Sequence, residues 1–231
     1  MALKTIVSYD DTPNDQDALT LARLLADAGA ELTLAYVRHA TQSDQARERL
    51  EEHEAEALLE RGARWLGDDL EVGRRVVVSG STAEGLRWLA EREQADLIVF
   101  GSDYRISPGH VSPGCSAQTL LDGGPAAIAI APAGYRNIRD PDIRTIGLLM
   151  SPGDDAALDT AHDLAGHFGA TLTRDEPRLD LLVVGSRPEA PVGRVMISGQ
   201  AQNAIDNATC PVLVVARTAA LEFAPLVLAG V

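Results

Sequence analysis

A few residues stand where chemistry is plausible. Asp10 follows an apolar, β-branched run, Leu3–Tyr9, and Gly101 follows another, Asp96–Phe100. Gly114 then opens a short helical pattern beginning Cys115-Ser116. Glycine lets backbone N–H groups approach phosphate oxygens closely and permits φ > 0, and a helix start adds partial positive charge. An acid at the carboxyl end of a first parallel strand sits where open α/β sheets take their ligands. The glycines and the helix start suit the close approach of phosphate oxygens. Each also has a plainer role: Gly101 as a tight turn, Gly114 as a helix start, Asp10 as a helix cap.

Other chemistry fails on spacing. Lys4 is the only lysine and no glycine loop precedes it, which argues against a Walker-type phosphate loop and a Schiff-base site. His162 and His167 are five apart, off the i, i+4 spacing of a helical metal pair. His53-Glu54 lacks the second histidine of a zinc motif, so no metal is expected. Gly114-Cys115-Ser116-Ala117-Gln118 begins like a nucleophile elbow but carries Gln118 where glycine is required. No catalytic residue emerges. Cys115 reads as a small buried filler.

The elements that must position these residues alternate between strand and helix. Leu3–Tyr9 is a strand, and the turn Asp11-Thr12-Pro13-Asn14 leads to a helix capped by Asn14 or Asp15 and stopped by Gly29. Leu32–Val37 is a second strand, and a charged helix covers roughly Asp44–Leu66. Arg74–Val78, Asp96–Phe100 and Ala127–Ala131 are strands separated by helices at Thr82–Glu93 and Ser116–Leu121. Strands joined by helices are parallel, and right-handed crossovers make a doubly wound α/β sheet.

The chain also repeats. Thr5–Thr33 matches Thr145–Thr173 at an offset of 140, and Asp96–Ile130 matches Asp180–Val214 at an offset of 84. The second copy has thus lost a block of 56 residues from its middle. Its first-strand counterpart of Asp10 by that offset is Met150. From Thr173 to Leu179 the chain is too short for an ordinary parallel crossover, and fully extended it reaches only ~20 Å. Ala170–Thr173 is therefore not expected in a second-strand position, and the second sheet is expected to be three-stranded or distorted.

Composition narrows the partners. The 231-residue chain carries a formal charge of −14, which disfavours nucleic acid and anionic lipid surfaces. No apolar run reaches the ~18–20 residues of a membrane span, and the two cysteines, Cys115 and Cys210, fit a reducing compartment. A cytoplasmic protein is expected.

The first half resembles a universal stress protein domain. Carrying the likeness are Asp10-Asp11-Thr12-Pro13 after the first strand, Gly29-Ala-Glu-Leu-Thr33 into the second, Asp96-Leu-Ile-Val-Phe-Gly-Ser102, and Ala129-Ile-Ala-Pro132. The family's nucleotide signature places a glycine, two residues, a second glycine, nine residues, then glycine with Ser or Thr. Here Gly101 and Gly114 keep the outer spacing, Tyr104 replaces the middle glycine, and Cys115 replaces the hydroxyl residue. The resemblance implies a universal stress protein or adenine nucleotide alpha hydrolase-like fold in two tandem units, residues 1–136 and a shortened 137–231. It further implies ATP or AMP bound in the first unit, with Asp10 on the nucleoside, backbone near Val37 facing the base, and Gly101, Gly114, Cys115 and Ser116 around the phosphates. The Tyr104 ring either fills the phosphate space or points outward.

By the same resemblance the halves pair through their last strands, Ile128–Ile130 with Val212–Val215, and a homodimer of the chain is a further expectation. The tail Ala219–Val231 is too apolar for a solvated end and is expected to cover surface bared by the missing block or to join two chains. Three function classes follow. The first is a stress-response nucleotide-binding protein, the second a member working through protein contacts alone, and the third a weak nucleotide hydrolase, which the lack of a general base, metal cluster or lysine at the loop makes the poorest fit.

Overall fold

In the computed structural model, residues 2–39, 45–173 and 178–223 are described, without the side chains of 45–49. The elements run β1 (Leu3–Ser8), α1 (Pro13–Asp27), β2 (Ala30–His39), α2 (Gln45–Leu66), β3 (Val72–Ser79), α3 (Thr82–Glu93), β4 (Leu97–Gly101), α4 (Cys115–Leu121), β5 (Asp122–Gly124) and β6 (Ala127–Ala131). After a 3₁₀ turn, Tyr135–Asn137, come β7 (Thr145–Leu149), α5 (Ala156–Phe168), β8 (Thr171–Thr173), β9 (Leu181–Gly185), β10 (Val195–Met196), α6 (Gly199–Asp206) and β11 (Val212–Val215).

Nine strands form one sheet in the order β3-β2-β1-β4-β6-β11-β9-β7-β8. All neighbours are parallel except β6 and β11, which run antiparallel with Ile128 opposite Val214. The continuous burial of β6 and β11 fits strands covered on both faces. One core layer joins α1, α2 and α5 through Leu21, Leu59 and Leu164. The other joins α3, α4 and α6 through Leu86, Leu120 and Ile205.

Two local expectations are corrected. The cap of α1 is Thr12, not Asn14 or Asp15: its hydroxyl accepts from Asp15 N while the Asp15 carboxylate accepts from Thr12 N at 2.9 Å, a reciprocal capping box. Cys115 is exposed, not buried, because it begins α4 on the outer surface. Leu221 and Phe223 are buried, and their N–H groups donate to Thr160 Oγ1 and to the Asp163 carboxylate of α5, on the core layer that α2 covers in the first half. The remainder of the tail, 224–231, lies outside the described residues.

The third correction is larger. Thr171–Thr173 does pair in parallel with β7, so the second half contributes four strands to a continuous sheet. The crossover estimate assumed a full-length strand. β8 is only three residues long and ends level with Gly147, while β9 begins level with Ile146. The link must therefore span about two strand spacings, ~10 Å, with almost no return along the strand. Gly147 makes room for it, since a Cβ there would collide with Leu179.

Candidate functional site

The turn after β1 is held from three sides. Asp15 Oδ2 accepts from Asp10 N at 3.0 Å. Asp11 sits at φ 61°, an uncommon conformation outside glycine. Its carboxylate accepts from Tyr9 Oη at 2.8 Å and from Arg61 Nε and Nη2 at 2.9 and 2.7 Å. These contacts fix the backbone beneath Asp10, whereas its own carboxylate accepts no hydrogen bond among the described residues.

Ser8 pairs with Ala35, and Val7 with Val99, so continuing the register sets Asp10 level with Val37 on one side and Ser102 on the other. Crowding by protein pushes Asp10 up to about 6, first through lost hydration and then through repulsion by Asp15, with His39 pulling the other way. The Val37 side chain is buried and committed to packing: a Cβ on Gly85 of α3 would lie 2.7 Å from its Cγ1. Val37 can therefore offer a ligand only backbone.

Gly101 is needed for close approach, since a Cβ there would collide with the Asn14 carbonyl, and Asn14 Nδ2 donates to Ser102 O at 2.6 Å. The first turn of α1 thus packs directly on the end of β4. Gly114 differs. It is the N-cap of α4 at φ −68°, lacks a side-chain cap, and has no atom within 4 Å of an added Cβ. The amides of Cys115 and Ser116 begin α4 behind this open space.

Tyr104 points outward, 78% exposed, so the ring does not fill the phosphate space. Its neighbours, which the sequence did not single out, form a fork: Arg105 Nε and Nη2 donate to the two oxygens of Asp103, each at 2.9 Å, and hold that acid down at about 2. The pair lines a cavity of about 780 Å³ with Arg87, Ser112, Cys115 and Gln118. Of the residues expected at the site only Cys115 lines it; Asp10, Val37 and Gly101 do not. The only sequence signal for the fork was an acid and an arginine two apart in the glycine-bounded loop.

In the second half the equivalences are sharper than the sequence offset. Thr5 pairs with Leu97 and Ile146 with Leu181; Leu97 and Leu181 are 84 apart (181 − 97), so β7 is offset from β1 by 141 (146 − 5). The bonds Asp96 N to Lys4 O and Asp180 N to Thr145 O, both 2.9 Å, obey the same offset. Ser151, not Met150, thus stands at the place of Asp10. Arg187 stands at the place of Asp103.

The architecture is that of a doubly wound α/β protein. Within that class the universal stress protein family matches residues 1–114 and 172–216, and the chain belongs to that family. No curated protein matches it in sequence. A universal stress protein from Archaeoglobus fulgidus DSM 4304 has the same fold, with a TM-score of 0.71 at 13% identity, covering 93% of this chain and 98% of its own. A functionally unknown protein from Pseudomonas aeruginosa PAO1 is similar, with a TM-score of 0.59 at 13% identity, covering 94% of this chain and 93% of its own. A universal stress protein in complex with cAMP is 20% identical, with a TM-score of 0.37, covering 42% of this chain and 75% of its own. Among the described residues no helix is long and apolar enough to cross a membrane.

Proposed function

We propose that this family member acts in the stress response by binding an adenine nucleotide, ATP or AMP, in its first half. The observation that carries the reading is the Asp10 carboxylate, held on a rigid turn at the carboxyl edge of the sheet yet accepting no hydrogen bond among the described residues. Asp10 is exposed to solvent, so its carboxylate is open to a ligand that donates to it, as ribose hydroxyls do. The level backbone of Val37 would face the base, and the amides after Gly114, at Cys115 and Ser116, would receive phosphate across the open space. Gly101 contributes by letting α1 close on β4.

The domain reading belongs to this proposal: 1–136 and 137–231 are two units of one kind, paired within the chain. Bonds recurring at an offset of 84 support it, namely Ser102 Oγ to Ala131 O and Ser186 Oγ to Val215 O, both 2.7 Å. So do the reciprocal contacts in which Val111 N donates to Ala208 O and Val195 pairs with Gly124. With Ser151 in place of the acid, the second unit has no counterpart of Asp10 and serves as scaffold.

Isothermal titration of the full chain with ATP, AMP and cyclic AMP tests the reading. Binding should appear for at least one of them and vanish in Gly114→Val, with the chain still folded and its melting temperature only slightly lowered. Heat that survives this substitution moves the ligand elsewhere. A second reading, action through protein contacts alone, is favoured by the absence of Asp10 from the lining of the 780 Å³ cavity. Silence with all three nucleotides would select it.

A further inference from the structure

The proposed nucleotide site has two ends, Asp10 after β1 and Gly114 before α4, and a loop separates Gly114 from the end of β4. Ser102 begins that loop and reaches both ends. Continuing the β1–β4 register sets it level with Asp10, and its carbonyl accepts from Asn14 Nδ2, in the first turn of α1, at 2.6 Å. Its hydroxyl serves two further elements. Oγ donates to Ala131 O, at the end of β6, at 2.7 Å, and accepts from Ser112 N, two residues before Gly114, at 3.2 Å. Ser102 is only 2% exposed, so neither bond is readily replaced by water.

We propose that Ser102 is a positioning residue for this site, its buried hydroxyl fixing the return of the loop so that Gly114 stands at a set distance from Asp10; the assignment rests on the nucleotide reading of the first half. β6 is a central strand buried along its whole length, which makes Ala131 O a rigid anchor. The rest of the loop is held by other means. Gly109 N donates to Ala133 O at 2.8 Å, and Val111 N donates to Ala208 O of the second half at 3.1 Å. Those bonds hold 109–111, whereas Ser112 is held by the Ser102 hydroxyl and by the Asp103 amide, which donates to Ser112 O at 2.8 Å.

The second half supplies a matched comparison. Ser186, fully buried, repeats the arrangement 84 residues later (186 − 102): its Oγ donates to Val215 O at 2.7 Å and accepts from Met196 N at 3.3 Å. There Ser151 stands in place of the acid. A hydroxyl that serves the fold alone therefore matters equally in both halves, while one that positions the site matters to the ligand only in the first.

Ser102→Ala and Ser186→Ala in the full chain test this by hydrogen exchange and by titration with ATP, AMP and cyclic AMP. Both variants should stay folded by circular dichroism and lower the melting temperature to a similar extent. The Ser112 amide should exchange about tenfold faster in Ser102→Ala, as a donor that loses its buried acceptor does. Affinity for a nucleotide that the wild type binds should fall about tenfold in Ser102→Ala and hold in Ser186→Ala. Unchanged exchange at Ser112, or equal affinities in the two variants, overturns the proposal. A wild type that binds none of the three refutes the nucleotide reading instead, and exchange at Ser112 then decides by itself whether Ser102 sets the loop.

Discussion

Arg61 on α2 grips Asp11 on the turn after β1, with both guanidinium donors on one carboxylate oxygen. Through Asp11 a helix that the second half lacks fixes the backbone from which Asp10 projects. Asp11 needs that grip, because its left-handed backbone costs on the order of 1 kcal/mol for a non-glycine residue. Arg61→Ala should lower stability by less than about 1 kcal/mol, since the ion pair is partly exposed. It should weaken nucleotide binding proportionally more by loosening the turn. Urea denaturation beside titration calorimetry separates the two effects, and equal affinity in the variant would remove Asp11 from the positioning role.

Asp10 should trade stability for binding. Its folded value of about 6 lies above the ordinary 3.8, so between these values the folded chain keeps a proton that the unfolded chain has released. Stability attributable to Asp10 therefore falls as pH rises through that window, and the cost is complete above about 6. Asp10→Asn should raise the melting temperature at pH 7, with the gain shrinking to nothing near pH 4, while nucleotide affinity is lost. A melting difference that does not vary with pH would mean that Asp10 is not desolvated in the fold.

Two glycines of one motif should behave oppositely. Gly101→Ala pushes a methyl group into the Asn14 backbone, where no flexible side chain can yield, and should cost about 2 kcal/mol or more. Gly114→Ala meets nothing and keeps an ordinary φ, so it should cost only the preference of an N-cap for glycine over alanine, about 1 kcal/mol or less. Thermal melts of the pair decide it, and a Gly114 variant as unstable as the Gly101 variant would show that the space before α4 is filled.

The alternation of strand and helix was readable because apolar runs, turn residues and Gly29 agree on the boundaries, and the acid and glycines fell at strand ends. What escaped the sequence was whatever depends on distance. The capping role of Thr12 needed the capping-box geometry, and the parallel place of β8 depended on how short that strand is. The one-residue slip that seats Ser151, not Met150, level with Ser186, as Asp10 is level with Ser102, shows only in hydrogen bonds. Side-chain direction was equally hidden: Tyr104 could have blocked the cleft and instead leaves it open, while the Asp103–Arg105 fork beside it looked like ordinary loop charge.

The junction between halves hangs on one buried acid. Asp17 of α1, with no exposed surface, accepts from Gly134 N at 2.8 Å, Arg136 N at 2.9 Å, and Arg136 Nη1 at 2.9 and 3.0 Å to its two oxygens. It thereby seats the 3₁₀ turn that leads from β6 toward β7 against the first helix. Asp17→Ala would strand two backbone donors and a guanidinium. Arg136 keeps some exposure and could rehydrate, so the loss should be near the lower end of the range for breaking a buried pair, about 3 kcal/mol. Asp17→Asn keeps an acceptor for one amide and should fall between wild type and Ala. Urea denaturation of both variants measures this, and a loss below about 1 kcal/mol in Asp17→Ala would mean that the turn is held by its packing through Tyr135 instead.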